Sequence, residues 1–394
     1  MADAGLDGLV ATCPENVTYL TGYDSWTIYT FRDLQVYGVL AGSGQTALVA
    51  PIDAIDYLAD RPASADRFYT YGTFHIHQAH DAALAGAEAR AAQLRAGAPR
   101  LPGPEAALDL ALSDLGVAKG RLGVDQTGMP PGRWEWLSQL GAAAEPAAEV
   151  FSALRRVKTD AEIDRLRHAA HAVEDAIMAA FAAASDGATE ADLAQVIATT
   201  TAARGVIPGH CETSAGTRGS ACFPPSPDRL VRSGDVIRSD CGGRYRGYWA
   251  DTGRTAVVGE PPERLAAYFR AIAAGIDAML AVIRPGLPSS ELARTGMDTV
   301  RAAGIPHYRR HHVGHGIGLE MYEAPLLVAP DGSADIHRHA AGGDTLEEGM
   351  VVNIELPYYE FGLGGLQIEE TLVVREHGPE LLTRAPRGMF RVPA

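Results

Sequence analysis

Three stretches in the last third of the 394-residue chain set acids and histidines among apolar residues and glycines. They are residues 238–251 (RSDCGGRYRGYWAD), 311–319 (HHVGHGIGL) and 353–369 (NIELPYYEFGLGGLQIE). Asp240 closes one alternating apolar run and Asp251 opens another, with Gly242, Gly243 and Gly247 between them suited to a turn. A hairpin folded about Tyr245 and Arg246 predicts that Asp240 and Asp251 are direct cross-strand neighbours, with Cβ atoms about 4.5–5.5 Å apart. Residues 351–355 read as a buried strand and 365–374 as its partner, and a turn near Gly362 places Glu355 opposite Glu369. Like charges directly opposed on paired strands repel, and desolvation beside Val, Ile and Leu adds to the cost. A bound cation relieves both.

The spacing from His311 to His315 would suit two zinc ligands on one helical turn. Gly314, Gly316 and Gly318 disfavour a helix, however, and His312 stands where a zinc-protease helix carries Glu. An extended strand puts His311, Val313 and His315 on one face, so that one histidine binds metal while the other contacts substrate. Carboxylate oxygens with one imidazole suit Mn, Fe, Co or Zn better than a thiolate-preferring metal. Four carboxylates carry charge enough for two divalent ions, which such sites hold about 3.5–4 Å apart to activate a bridging water.

An Asp, a second Asp eleven residues later, Gly-His-Gly-Ile-Gly, Ile-Glu and Ile-Glu-Glu follow in that order. This order resembles the pita-bread metallopeptidases, which include aminopeptidase P, prolidase, methionine aminopeptidase and the metal-free relative creatinase. The resemblance implies that Asp240 ligates one metal and that Asp251 bridges. It implies that His315 and Glu355 ligate the other metal and that Glu369 is the second bridge. Glu355 also resembles the catalytic carboxylate that shuttles a proton, and His311 a histidine that holds substrate. The implied activity is hydrolysis of an amide bond in a small peptide, commonly with proline second, by two divalent ions, manganese foremost. A homodimer is implied as well.

The pattern also breaks. The family usually offers a histidine 17 residues before the first Asp ligand, where an ungapped count lands on Phe223. It offers another seven after the His ligand, where Tyr322 stands, and an Arg where this chain has Gln367. Phe223, Tyr322 and Gln367 are therefore candidate substrate contacts, and His210 is a candidate stand-in for the lost base. The Tyr322 hydroxyl remains a hydrogen-bond donor. The alternative reading is a hydrolase or lyase of a non-peptide small molecule on the same metal site, which the scaffold permits.

The surrounding chain must hold these groups in place. Its length suggests more than one domain, and 46% apolar residues make it globular. A net charge of −15 argues against nucleic acid or anionic membrane as partner. No uninterrupted apolar run is long enough to span a bilayer, and the first residues lack a signal-peptide pattern. Four scattered cysteines fit a reducing cytoplasm, and Cys241 in a strand would point away from its neighbour Asp240.

Residues 1–150 read as an α/β domain with strands near 6–12, 37–40, 46–50 and 120–125, a helix over 79–95 and a loop over 96–104. Its phrase Asn16-Val-Thr-Tyr-Leu-Thr-Gly22 resembles the creatinase-type N-terminal domain. His75, His77 and His80 there read as solvated. Residues 151–394 read as an α+β pita-bread domain with a linking helix over 151–185. Thr159 and Glu162 form a capping box, and Ile163, Leu166, Ala169, Ala170 and Val173 mark one buried face. Further helices are expected over 190–204, 262–283 and 289–303, and a polar surface insertion over 333–344.

Overall fold

Short strands rich in Val, Leu and Ala alternate with helices in the first part of the chain and build one mixed sheet. The computed structural model describes every residue except 32, 78, 80–82, 128, 130–131, 142, 223, 329–343 and 394. The chain divides into two units, Met1–Arg155 and Arg156–Ala394. In the first, strands β1 (Gly8–Ala11), β2 (Tyr37–Ala41), β3 (Thr46–Pro51), β4 (Arg67–Tyr71), β5 (Arg100–Leu101), β6 (Arg121–Val124) and β7 (Ala143–Pro146) lie in the order β5-β4-β3-β2-β1-β6-β7. Val10, Val39, Val49, Leu108 and Leu112 fill one core, and Leu9, Leu48, Val17 and Phe151 fill another. The helix expected over 79–95 starts later, at Gly86, and ends at Gly97; β5 interrupts the expected loop. His75 and His77 are exposed, and His80 lies outside the described residues.

One linking helix over 151–185 is replaced by two, Ala148–Arg156 and Asp160–Ala183. Thr159 and Glu162 close the expected capping box and so start the second helix afresh. All five expected apolar positions on that helix are buried. The helices Glu190–Ala203, Glu263–Val282 and Ser289–Ala302 lie where periodicity placed them. Glu263–Val282 is long and apolar enough to cross a membrane, a match the absence of long apolar runs did not anticipate. Its Leu265, Phe269, Ile272, Ile276 and Met279 are core residues. Of the expected insertion over 333–344, all but Asp344 lies outside the described residues.

Two sheets carry the acids. Strands β8 (Ile207–Ala215), β9 (Val236–Tyr245) and β10 (Tyr248–Val258) pair antiparallel, and β18 (Phe390–Val392) joins the β10 edge. The other sheet contains β11 (Gly314–Gly316), β12 (Glu323–Leu326), β13 (Val351–Glu355), β16 (Glu369–Val373) and β17 (Glu380–Leu381), in the order β12-β11-β13-β16-β17. β14 (Tyr358–Glu360) and β15 (Gly364–Leu366) form a separate ribbon turned at Gly362.

The expected strand over 365–374 is thus two strands, because the chain changes partner at Gln367. There the Thr255 hydroxyl takes both backbone groups of Gln367, accepting from its N–H at 2.8 Å and donating to its carbonyl at 2.9 Å. Those groups need no ladder partner.

Behind the acids sits a buried ion cluster. Arg254 places Nη2 2.8 Å from Glu174 Oε1 and 3.2 Å from Glu370 Oε1. Its Nη1 donates to the backbone oxygens of Gly253 and Glu369. Glu174 also accepts from the N–H groups of Arg384 and Ala385. Removing one member of a buried, hydrogen-bonded cluster strands the others without partners. Arg254→Met should therefore destabilise the fold by about 3–5 kcal/mol, read as a lowered midpoint in urea unfolding of the metal-depleted protein. An unchanged midpoint would mean that the cluster contributes nothing net.

Candidate metal centre

The site is built from strand alternation. On β9 and β10 the turn is the two-residue pair Arg246 (φ 48°) and Gly247 (φ 87°), both left-handed as a tight hairpin with strand-matched twist requires. Tyr245 then pairs with Tyr248, Asp240 with Gly253, and Asp251 with Gly242. This corrects the direct Asp240–Asp251 pairing: the register differs by two residues. A two-residue shift preserves the face, so both acids still point the same way as diagonal neighbours. Glu355 lies directly opposite Glu369, as the Gly362 turn implied.

Oxygen atoms of Asp240, Asp251 and Glu369 lie within 4.8 Å of one another. Gly253 permits this approach of the two sheets, because a Cβ there would meet Gln367 Cγ at 2.2 Å and Glu369 Cγ at 2.9 Å. His315, on β11, donates from Nδ1 to the Gly316 carbonyl at 3.0 Å and turns Nε2 toward Asp251 Oδ2 at 3.4 Å.

Several held groups surround this centre. Asn353 Nδ2 donates to Glu369 Oε2 at 3.2 Å. Gln367 Nε2 donates to Asp240 Oδ2 at 3.2 Å and to Glu369 Oε1. Gln367 is fully buried and spends its donors on these two carboxylates. Glu355 Oε1 is 2.7 Å from His312 Nε2, and Oε2 is 3.4 Å from Arg310 Nη2.

The expected strand carrying His311, Val313 and His315 starts only at Gly314. His312 is consequently the histidine buried against Glu355, while half-buried His311 packs its ring 4.3 Å from that of His312. Tyr322 stacks on His315, with ring centroids 3.7 Å apart and planes 19° apart. His210, on β8, faces the carboxylates, with Nε2 3.4 Å from Asp240 Oδ1 and 3.2 Å from Asp251 Oδ1. Phe223 lies outside the described residues. Cys241 points to the opposite face, where its sulfur is 3.5 Å from that of Cys211.

Electrostatics follow from burial and crowding. Burial pushes the Glu369 carboxyl well up, and Asp240, Asp251 and Glu355 push it further. Burial likewise raises Asp240, with Asp251 adding to it and His210 opposing. At Glu355 burial is outweighed by the His312 hydrogen bond and the Arg310 charge, which bring it down to about 2. At Asp251 burial is outweighed by His210 and His315, which lower it. His210, against the effect of its burial, is held up to about 12 by Asp251 and Asp240.

Asp251 Oδ1 and His315 Nε2 are buried and make no well-directed hydrogen bond. Clustered carboxylates with unspent donor atoms and an imidazole fit a divalent cation of the borderline class. Residues that sequence reasoning passed over are His312, Arg310, Asn353 and Glu212. Alternation held a signal for two of them: Asn353 is two before Glu355 and Glu212 two after His210, on the same faces.

Residues 164–376 match the metallopeptidase family M24, and residues 1–157 match the creatinase/prolidase N-terminal domain. The chain is 30% identical over 274 residues to the uncharacterized peptidase YqhT of Bacillus subtilis, covering 68% of this chain and 74% of that one. It is 29% identical over 244 residues to the Xaa-Pro dipeptidase of Pyrococcus furiosus, covering 61% of this chain and 67% of that one. The crystal structure of dipeptidase PepE from Mycobacterium ulcerans superposes with a TM-score of 0.75 at 27% identity, covering 100% of this chain and 95% of that one. With matched domains over both units and buried acids arranged for divalent ions, the chain belongs to metallopeptidase family M24 and is a metal-dependent peptidase on the pita-bread fold.

Proposed function

We propose that this peptidase holds two divalent ions, manganese foremost, and hydrolyses the amide bond of a small peptide, with Xaa-Pro dipeptides as the first substrates to test. The observation that carries the reading is the gathering of Asp240, Asp251 and Glu369 oxygens within 4.8 Å, beside the Glu355–Glu369 pair and His315. The name of the Pyrococcus relative, an Xaa-Pro dipeptidase, supports the substrate class. We also assign the protein to the cytoplasm as a homodimer, on the family resemblance and the four free cysteines.

Asp240, Asp251, His315, Glu355 and Glu369 would hold the ions, which supply Lewis-acid polarisation of a carbonyl and a nucleophilic water at neutral pH. The chain's own groups do the rest. His312 and Arg310 fix the Glu355 carboxylate and keep it ionised. Glu355 can therefore accept the proton of the attacking water and return it to the departing amine. Burial and the nearby carboxylates push the Tyr322 hydroxyl far up. Tyr322 stays a neutral donor, suited to the oxygen on which charge develops. His311, half-buried with its ring against that of His312, is the proposed substrate contact.

A second reading, a non-peptide amide or related small molecule, is favoured by one observation: a phenol stacked on His315 occupies the position where the family usually has histidine.

The purified protein should contain about two divalent ions per chain by elemental analysis and lose turnover on chelation. Asp251→Ala should lose metal and more than about 100-fold in kcat/KM, since outer partners of metal ligands alone cost 10–100-fold. Full activity after exhaustive chelation would end the reading. Turnover of Xaa-Pro dipeptides at ordinary rates would exclude the non-peptide alternative. Tyr322→Phe should lower kcat by about 100-fold with metal content unchanged; equal kcat would remove Tyr322 from the transition state.

A further inference from the structure

A second imidazole stands at the carboxylates, on a strand the ligand pattern does not include. β8 pairs with β9 so that Glu212 lies directly opposite Asp240, and a register shift between Pro208 and Cys211 precedes it. His210 and Glu212 share a face by alternation. His210 Nε2 lies 3.4 Å from Asp240 Oδ1, 3.2 Å from Asp251 Oδ1 and 3.9 Å from Glu212 Oε2. Ligand bonds of about 2.0–2.2 Å put atoms that share one ion roughly 3–4 Å apart. These separations are therefore those of donors around a common cation.

Three further observations point the same way. Asp251 Oδ1 is buried, is without a well-directed hydrogen bond and faces this imidazole; the residue is 5% exposed. Glu212 Oε2 is also buried and makes no hydrogen bond. Room for the ring is provided by Gly242, directly opposite Asp251, where a Cβ would lie 2.3 Å from His210 Cε1 and 2.6 Å from its Nδ1.

We propose that His210 Nε2 is a ligand of the divalent ion shared by Asp240 and Asp251, with the Glu212 carboxylate as an adjoining oxygen donor. The proposal rests on the metallopeptidase reading and extends its centre from one imidazole to two. It gives this chain an imidazole at the Asp240 ion despite Phe223 at the position where relatives place one. An added imidazole and carboxylate change the field at that ion. They favour a metal that accepts mixed nitrogen and oxygen donors, and they narrow the space left there for substrate.

The test uses full-length protein labelled with 15N-histidine, stripped of metal and titrated with Zn(II). Binding should displace the Nε2 resonances of two histidines, His210 and His315, with His210→Gln supplying the assignment. Calorimetry on His210→Gln should show one of the two ions weakened by tenfold or more while the other is unchanged, and Glu212→Gln should weaken the same ion less. Should fewer than two histidine Nε2 resonances move to metal-bound positions, the proposal is overturned, a count the wild-type titration gives even where a variant fails to fold. Wild-type affinity for both ions in folded His210→Gln overturns it as well. Wild-type protein that takes up no Zn(II), Mn(II) or Co(II) overturns the metallopeptidase reading too, an outcome distinct from the other two.

Discussion

Anionic side chains do not share a buried space unless something positive shares it with them. Asp240, Asp251, Glu355 and Glu369 do share one, and Glu355 and Glu369 are opposed residue to residue on paired strands. Neutral groups cannot settle that repulsion. Asn353 and Gln367 each donate to a carboxylate, which orients oxygens without cancelling charge. The charge is opposed by His210, His315, Arg310 and Arg238, and the last of these stands 3.6 Å from Asp240. Even so, burial and mutual repulsion still raise Glu369 and Asp240. The unmet demand is for cations.

The fold enforces the crowding instead of merely allowing it. Alternation sends Gly253 and Glu369 to the inner face and their neighbours Arg254 and Glu370 to the other. There Arg254 binds Glu174 and Glu370 and ties β10, β16 and the helix Asp160–Ala183 together. One face thus carries an ion cluster that fastens the two sheets, while the other carries acids left for ions to satisfy. The close approach needs Gly253, because any side chain there would displace Gln367 and Glu369.

How much of this was legible in the sequence depended on the turn. Glu355 and Glu369 could be matched because Gly362, at φ 80°, marks a turn whose position leaves little choice. Asp240 and Asp251 were placed on the right face but in the wrong register. Their hairpin turns at Arg246-Gly247, and Arg is a rare occupant of a left-handed position. The glycines at 242 and 243, which looked like turn residues, are strand residues, and Gly242 makes room for His210 instead. His312 was overlooked for a related reason. Strand periodicity does not reach residues 311–313, where the chain is not yet a strand, and a one-residue change there turns His312 instead of His311 toward the inner face. The buried pairings of Arg254 and Arg310 join segments far apart in sequence, and no local pattern reports them.

The departures from the family's usual histidines can be weighed by what each side chain supplies. A phenol at Tyr322 keeps a donor where a histidine would stand, yet it cannot carry positive charge, and its ring is stacked on His315. In the proposed mechanism its hydrogen bond would serve a growing negative charge without becoming a proton source at neutral pH. Glu355, the carboxylate proposed to move the proton, has its two oxygens held by His312 and Arg310 and lies opposite Glu369. A centre of this kind depends less on histidine acid–base chemistry around the substrate and more on the cations that its acids demand. In the proposed mechanism, the same electrostatic demand that shapes the inner face also leaves Glu355 as the side chain able to move the proton.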